Sequence, residues 1–281
     1  MPIYEQGYRR YVARAALHTT RFWPITREAL RLLLQKRLFT LFLLGSLSPL
    51  AVKVIQIYLA RQYPQMAAIL SAGPPLFGDF MNSQVLFAIL LSIFGASGLI
   101  ANDLRTGAIL VYLSRPLTRR DYVLGKLGVP MAICLAVTLL PGVLLYVAAI
   151  GLAPDSYLRW DLAWLLPAIV AHALCASLVV SLLTLAVSAL SRSARVAGIA
   201  MAGLLLGLET MRGLLQFAFG RREAVLLSLW ADLKALGVAL FGVVEYQIEV
   251  YWAWPLAVLV AVSAACLLVL RARVRAVEIV T

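Results

Sequence analysis

Charge is scarce in this 281-residue sequence: 14% of residues are Asp, Glu, Lys or Arg, whereas 63% are hydrophobic. One soluble core of this size cannot hide so much apolar surface, so lipid must cover much of it. Cysteine is scarce too. Cys134, Cys175 and Cys266 all fall in apolar runs, far apart and without a Cys or His at metal-ligand spacing, and read as small apolar packing residues. The phosphate loop GxxxxGK[ST] is missing, which leaves the chain no visible means of hydrolysing a nucleotide. Paired carboxylates and metal clusters are missing at cytoplasmic depth. There is no internal repeat, low-complexity tract or soluble domain, so any large cytosolic activity must come from another chain. The first two dozen residues lack the apolar core of a secretory signal; the basic, aromatic YRRYVARAALHTTRFW stands there instead, and the N-terminus is expected to be retained.

What is present is a set of long apolar runs. A spanning helix needs roughly 20 residues, and six segments qualify, at about 38–59, 83–101, 122–151, 162–190, 196–218 and 251–270. Six spans divide the charges unequally. The side holding both termini, the 102–126 loop and the 191–195 loop carries eighteen Lys/Arg and five acids, against seven and eight opposite. The net charge of +12 thus splits into +13 and −1, and the positive-inside rule puts both termini in the cytoplasm. Orientation and anionic lipid account for the basic excess, and no nucleic-acid partner is needed.

Along the chain, PITREALRLLLQKR (24–37) sets Ile25, Ala29, Leu32 and Leu33 on one side of a helix and Arg27, Arg31, Gln35 and Lys36 mostly on another. Two readings fit: an amphipathic helix on the cytoplasmic leaflet, or the cytoplasmic end of a long tilted span. Span one contains Pro49 and Lys53. Residues 60–82, with Pro64, Gly73, Pro74, Pro75 and Gly78, read as an irregular outer loop. Residues 222–242 are too interrupted by Asp232 and Lys234 to span, yet apolar enough for outer interfacial or re-entrant helices. The expected organisation is a single transmembrane domain over 1–281: a cytoplasmic arm at 1–20, an elbow helix at 21–37, a six-span bundle at 38–270 and a tail at 271–281.

Several residues invite a chemical role. GASG (95–98) resembles the serine motif of rhomboid intramembrane proteases, with His172 on a later helix as partner. Ser97, however, falls near the cytoplasmic end of span two, whereas His172 lies roughly 15 Å in from the outer end of span four. Small residues that let helices approach closely explain GASG better. His172 reads as a buried, hydrogen-bonded histidine, although an ionisable group in a bilayer is also a functional candidate. Glu209 and Arg212, three apart, can pair on one face. They either cap span five as a structural ion pair or line an export path. Gly203 and Gly207 have GxxxG spacing for close helix packing.

The most informative stretch is IANDLRTGAILVYLSRPLTRRDYVLGKLG, residues 100–128. Thr118 and Asp121 form a capping box for span three, with Leu117 and Tyr122 as a hydrophobic staple. Pro116 separates that helix from a short one expected at 105–114, which carries Ile109, Leu110, Tyr112 and Leu113 outside the bilayer. Such an apolar projection is best explained by a groove that receives it. Arg119, Arg120 and Lys126 are explained by topology and phospholipid headgroups.

An acidic residue four before a Gly, followed by [ST]-R-P-[LV]-[ST]-R-x-x-[YIL]-x-x-G-K, resembles the permease subunits of ATP-binding-cassette (ABC) exporters of the second type. The matching residues are Asp103, Gly107, Ser114, Arg115, Pro116, Thr118, Arg119, Tyr122, Gly125 and Lys126. Where that family often has Glu and Thr, this chain has Asp103 and Ala108. The resemblance implies an all-α membrane permease with an elbow helix, six transmembrane helices, a coupling helix between spans two and three, and outer helices between spans five and six. It further implies a bacterial inner-membrane location and a second permease copy or homologue. Two cytosolic ATPase subunits would carry ATP and magnesium, with no cofactor on this chain. They would dock through Asp103, Arg105, Gly107, Ile109, Leu110, Tyr112, Leu113, Arg115 and Pro116. The implied output is extrusion of an amphiphilic lipid, glycan or drug; the alternative is a scaffold that turns ATP hydrolysis into work on an envelope machine.

Overall fold

The computed structural model describes residues 22–63, 65, 73–108, 118–152, 163–220, 222–243 and 251–274, and these are helical with no strand among them. The elements are α1 (Trp23–Leu34), α2 (Arg37–Gly45), α3 (Ser48–Gln62), α4 (Pro74–Ala96), α5 (Ala101–Thr106), α6 (Arg119–Leu152), α7 (Leu165–Leu190), α8 (Ala194–Phe219), a 3-10 helix (Arg222–Leu227), α9 (Leu229–Phe241) and α10 (Ala253–Arg273). Six stretches are long and apolar enough to cross a membrane: Arg37–Ala60, Pro74–Thr106, Arg119–Leu152, Leu165–Leu190, Ala194–Phe219 and Ala253–Arg273. This is a six-span, all-α membrane protein, as its composition requires.

The centre is built by α4, α6 and α7, each packed on the other two. Glycine permits the tightest approach: a Cβ on Gly142 of α6 would lie 2.8 Å from Ile169 and 3.1 Å from Met81. Around this centre the spans differ in cover. The second and fourth are 61% and 67% buried within the chain, the first and fifth 11% each, so lipid or another protein must cover the latter pair.

Two expectations are corrected, and the first span, found where expected, proves to be broken. The second span begins at Pro74, nine residues before the expected start. Pro74 and Pro75 occupy the first helical turn, where a missing N–H costs nothing, and so open a helix where an irregular loop is expected. The added turns bury Phe77, Phe80 and Met81, while Gly78 lies against Phe241 and Val243. The first span is two helices. After Gly45 the chain turns through Ser46 and Leu47, whose N–H bonds to Leu44 O at 3.0 Å, and resumes at Ser48 with Pro49 in its first turn. Finally, the helix expected at 105–114 is not a unit at its start: Arg105 and Thr106 belong to α5, which Gly107 ends in the left-handed conformation at φ 69°.

The segment after span five forms the 3-10 helix and α9. Rather than lying with one face free, α9 buries Leu229, Leu233, Leu236 and Phe241, and also Asp232 at 1% exposure, among α4, α7 and α10.

Candidate functional site

The two ends of the 107–118 stretch are held by separate devices. On the exit side, Thr118 N donates to Asp121 Oδ2 at 3.0 Å and Asp121 N donates to Thr118 Oγ1 at 3.2 Å, the reciprocal capping box that opens α6. On the entry side, α5 receives its N-terminal acceptor from another span: Ser188 Oγ of α7 accepts from Ile100 N at 3.1 Å and Ala101 N at 3.0 Å.

A third device joins the two sides. Asp103 of α5 turns its carboxylate toward α6, where Oδ2 accepts from Tyr122 Oη at 2.8 Å and lies 2.6 Å from Lys126 Nζ. Tyr122 is fully buried, and the Lys126 and Asp103 side chains are 7% and 15% exposed. Lys126 is therefore not a headgroup contact, and that expectation is corrected. Tyr122 and Lys126 share a face of α6 because they stand four residues apart. Arg119 and Arg120 remain exposed, as lipid or solvent contacts should.

Glycines bring the neighbouring helices close. Thr26 of α1, 2% exposed, donates to Gly125 O at 2.7 Å, and a Cβ on Gly128 would meet Thr26 Oγ1 at 2.7 Å. Thus α1 is seated on α6, with Arg27 and Arg31 on its other sides. GASG also serves packing: a Cβ on Gly95 would fall 2.8 Å from Phe39, and one on Gly98 2.6 Å from Ala194. Ser97 Oγ donates to Ala194 O at 3.4 Å.

Of the expected docking residues, Asp103 and Arg105 stand on α5, the former engaged inward and the latter exposed, with Gly107 immediately after. Ile109, Leu110, Tyr112, Leu113, Arg115 and Pro116 lie outside the described residues, as do the expected 105–114 helix beyond Ala108 and Leu117 of the expected staple. His172 lies apart, its Nε2 3.2 Å from Leu233 O and its ring against Phe241. Ser97 and His172 are thus engaged by different elements. Glu209 pairs with Arg212, whose Nε donates at 3.1 Å, and also accepts from Ser228, the N-cap of α9. The Ser228 bond ties α8 to the N-cap of α9. Gly203 and Gly207 meet nothing within 4 Å, so the GxxxG face is unused among the described residues. Burial pushes the Asp232 carboxyl up to about 7. No cluster of metal-binding side chains occurs among the described residues.

Most of the chain matches a known family of membrane components. Residues 35–224 match the model of the ABC-2 family transporter protein, which takes in spans one to five and the whole 100–128 stretch. The chain belongs to the ABC-2 transporter family. No curated protein matches it. As an ABC-2 transporter protein it is a multi-pass membrane component of a transport system, not itself the ATPase, and the family implies an ABC ATPase partner.

Sequence reasoning does not single out Ser188 or Gly128, and it takes Lys126 for a surface charge. A basic residue four after a tyrosine and in the motif's Gly-Lys pair carries some signal. Nothing local marks a serine near the end of span four as the cap of a helix almost ninety residues earlier.

Proposed function

We propose that this ABC-2 transporter protein is the permease half of an exporter. A separate cytosolic ATPase docks on residues 103–118, and the chain extrudes an amphiphilic lipid, glycan or drug. The observation that carries the reading is the fixing of both ends of that stretch, by the Thr118–Asp121 box and by the cap and ion pair of α5. A stretch of apolar residues anchored in this way can transmit a push into the spans. The charge asymmetry supports a cytoplasmic placement for this end and for both termini; the resemblance to exporter permeases supports a bacterial inner membrane. ATP and magnesium belong to the ATPase, two copies of which serve a pair of permeases. The second permease packs on the open Gly203 and Gly207 face of α8.

Replacing both Tyr112 and Leu113 by Asp tests the docking surface. The double variant is expected to insert normally and lose ATPase co-purification. Unchanged stoichiometry together with unchanged transport overturns the proposal. Stimulation of ATP turnover by an added amphiphile is the expected sign of export, whereas turnover indifferent to any solute favours mechanical work on the envelope.

A further inference from the structure

We infer that Tyr122 and Lys126 are positioning residues that, through their hold on Asp103, convert ATPase docking into movement of the spans, without themselves contributing to docking affinity. The inference rests on the docking reading above. Its basis is the geometry between α5 and α6. Residue Asp103 stands one turn before Gly107, where α5 ends, and Tyr122 and Lys126 stand in the first two turns of α6. The stretch between them therefore begins and ends on helices that share one partly buried carboxylate oxygen, held at 2.8 Å by a hydroxyl and 2.6 Å by an ammonium.

The consequences follow from burial. An exposed ion pair exchanges freely with water and holds little, but a pair this enclosed, with Lys126 7% and Asp103 15% exposed, opens at a larger cost. As a result, α5 and the start of α6 move as one body when the stretch between them is pushed. The 34-residue α6 carries that motion about 50 Å across the bundle at 1.5 Å per residue. The Ser188 bonds carry it into α7. Without the bridge, a bound ATPase would displace α5 alone. The same carboxylate joins the acid and the lysine of the sequence motif in one contact, to which Tyr122 adds its hydroxyl.

The test uses the permease with its ATPase in phospholipid vesicles, and the permease by itself for amide hydrogen exchange. Lys126→Met removes the charge at nearly constant length, Tyr122→Phe removes only the hydroxyl, and Lys126→Arg restores a donor. In Lys126→Met the α5 amides are expected to exchange roughly tenfold faster or more. ATPase affinity is expected to stay within about threefold of wild type while permease-dependent stimulation of ATP turnover falls about tenfold, a size typical of coupling between sites. Lys126→Arg is expected to recover most of both losses. Unchanged exchange and unchanged turnover in Lys126→Met overturn the inference, and so does a fall in ATPase affinity that matches the fall in turnover. If Lys126→Met does not accumulate in the membrane, Tyr122→Phe supplies the same two measurements: faster α5 exchange with weaker stimulation is expected at smaller amplitude, and no change in either overturns the inference. A wild-type permease that retains no ATPase removes the docking reading instead, and α5 exchange alone then decides whether the bridge holds the helices together.

Discussion

Adding a single methyl group at Gly128 tests whether α1 is a fixed part of the bundle. A Cβ there would meet Thr26 Oγ1 at 2.7 Å and Thr26 Cγ2 at 2.9 Å, well inside contact distance. Thr26 cannot swing aside cheaply, because its β-branched side chain is stiff and its hydroxyl is committed to Gly125 O at 2.7 Å. Forcing in the methyl costs about 1–3 kcal/mol as overpacking. Losing the buried hydrogen bond costs about 1 kcal/mol more. Against these stands a gain of about 1 kcal/mol from replacing a helical Gly by Ala. Gly128→Ala is therefore expected to destabilise by about 1–3 kcal/mol, where helix propensity alone requires the opposite sign. Thermal unfolding in detergent micelles reads the midpoint for Gly128→Ala, Thr26→Ala and the double variant. Thr26→Ala alone loses the hydrogen bond, about 1 kcal/mol. The double variant loses that bond but has no clash, so its midpoint is expected close to wild type and the two changes are strongly non-additive. A Gly128→Ala midpoint above wild type, or simple additivity, would refute the seating of α1 on α6.

Two further outcomes follow from buried polar groups. Ser188→Ala takes the acceptor from two backbone N–H groups at the start of α5 and is expected to lower stability by about 1–3 kcal/mol, with faster exchange at Ile100 and Ala101 as the local readout. Asp232 has its carboxyl raised from 3.8 to about 7, so the folded chain holds a proton that the unfolded chain has released. Stability is expected to fall as pH rises from about 4 to about 7 and then level off; in Asp232→Asn that slope is expected to disappear, and an unchanged slope argues against the buried carboxyl.

Features that rest on short-range patterns are legible in the sequence. Hydropathy over some twenty residues locates six spans, although the proline pair at Pro74 and Pro75 suggests a break where it opens a helix. The Thr118–Asp121 box and the Glu209–Arg212 pair both join residues three apart, and both are present. The packing role of GASG is legible for a similar reason, since small residues on one helix invite a neighbour. What is not legible depends on residues distant in the chain. Gly128 matters because Thr26 lies against it, and Lys126 is internal because α5 brings Asp103 to it. In a sequence where basic residues also set topology, a lysine near a span end satisfies the simpler explanation and conceals the other. Conversely, Gly203 and Gly207 have a known packing pattern but no partner among the described residues, because spacing states only that a close approach is available.

Ser188 has a consequence for how the chain is made. Its hydroxyl completes the first turn of α5, yet it stands 87 residues after Ala101. During synthesis, the second and third spans enter the membrane while α5 still lacks this acceptor, and only insertion of the fourth supplies it. The end of the molecule that bears the 103–118 stretch thus matures late, after most of the central bundle exists. Chains truncated before the fourth span would present that end without its acceptor.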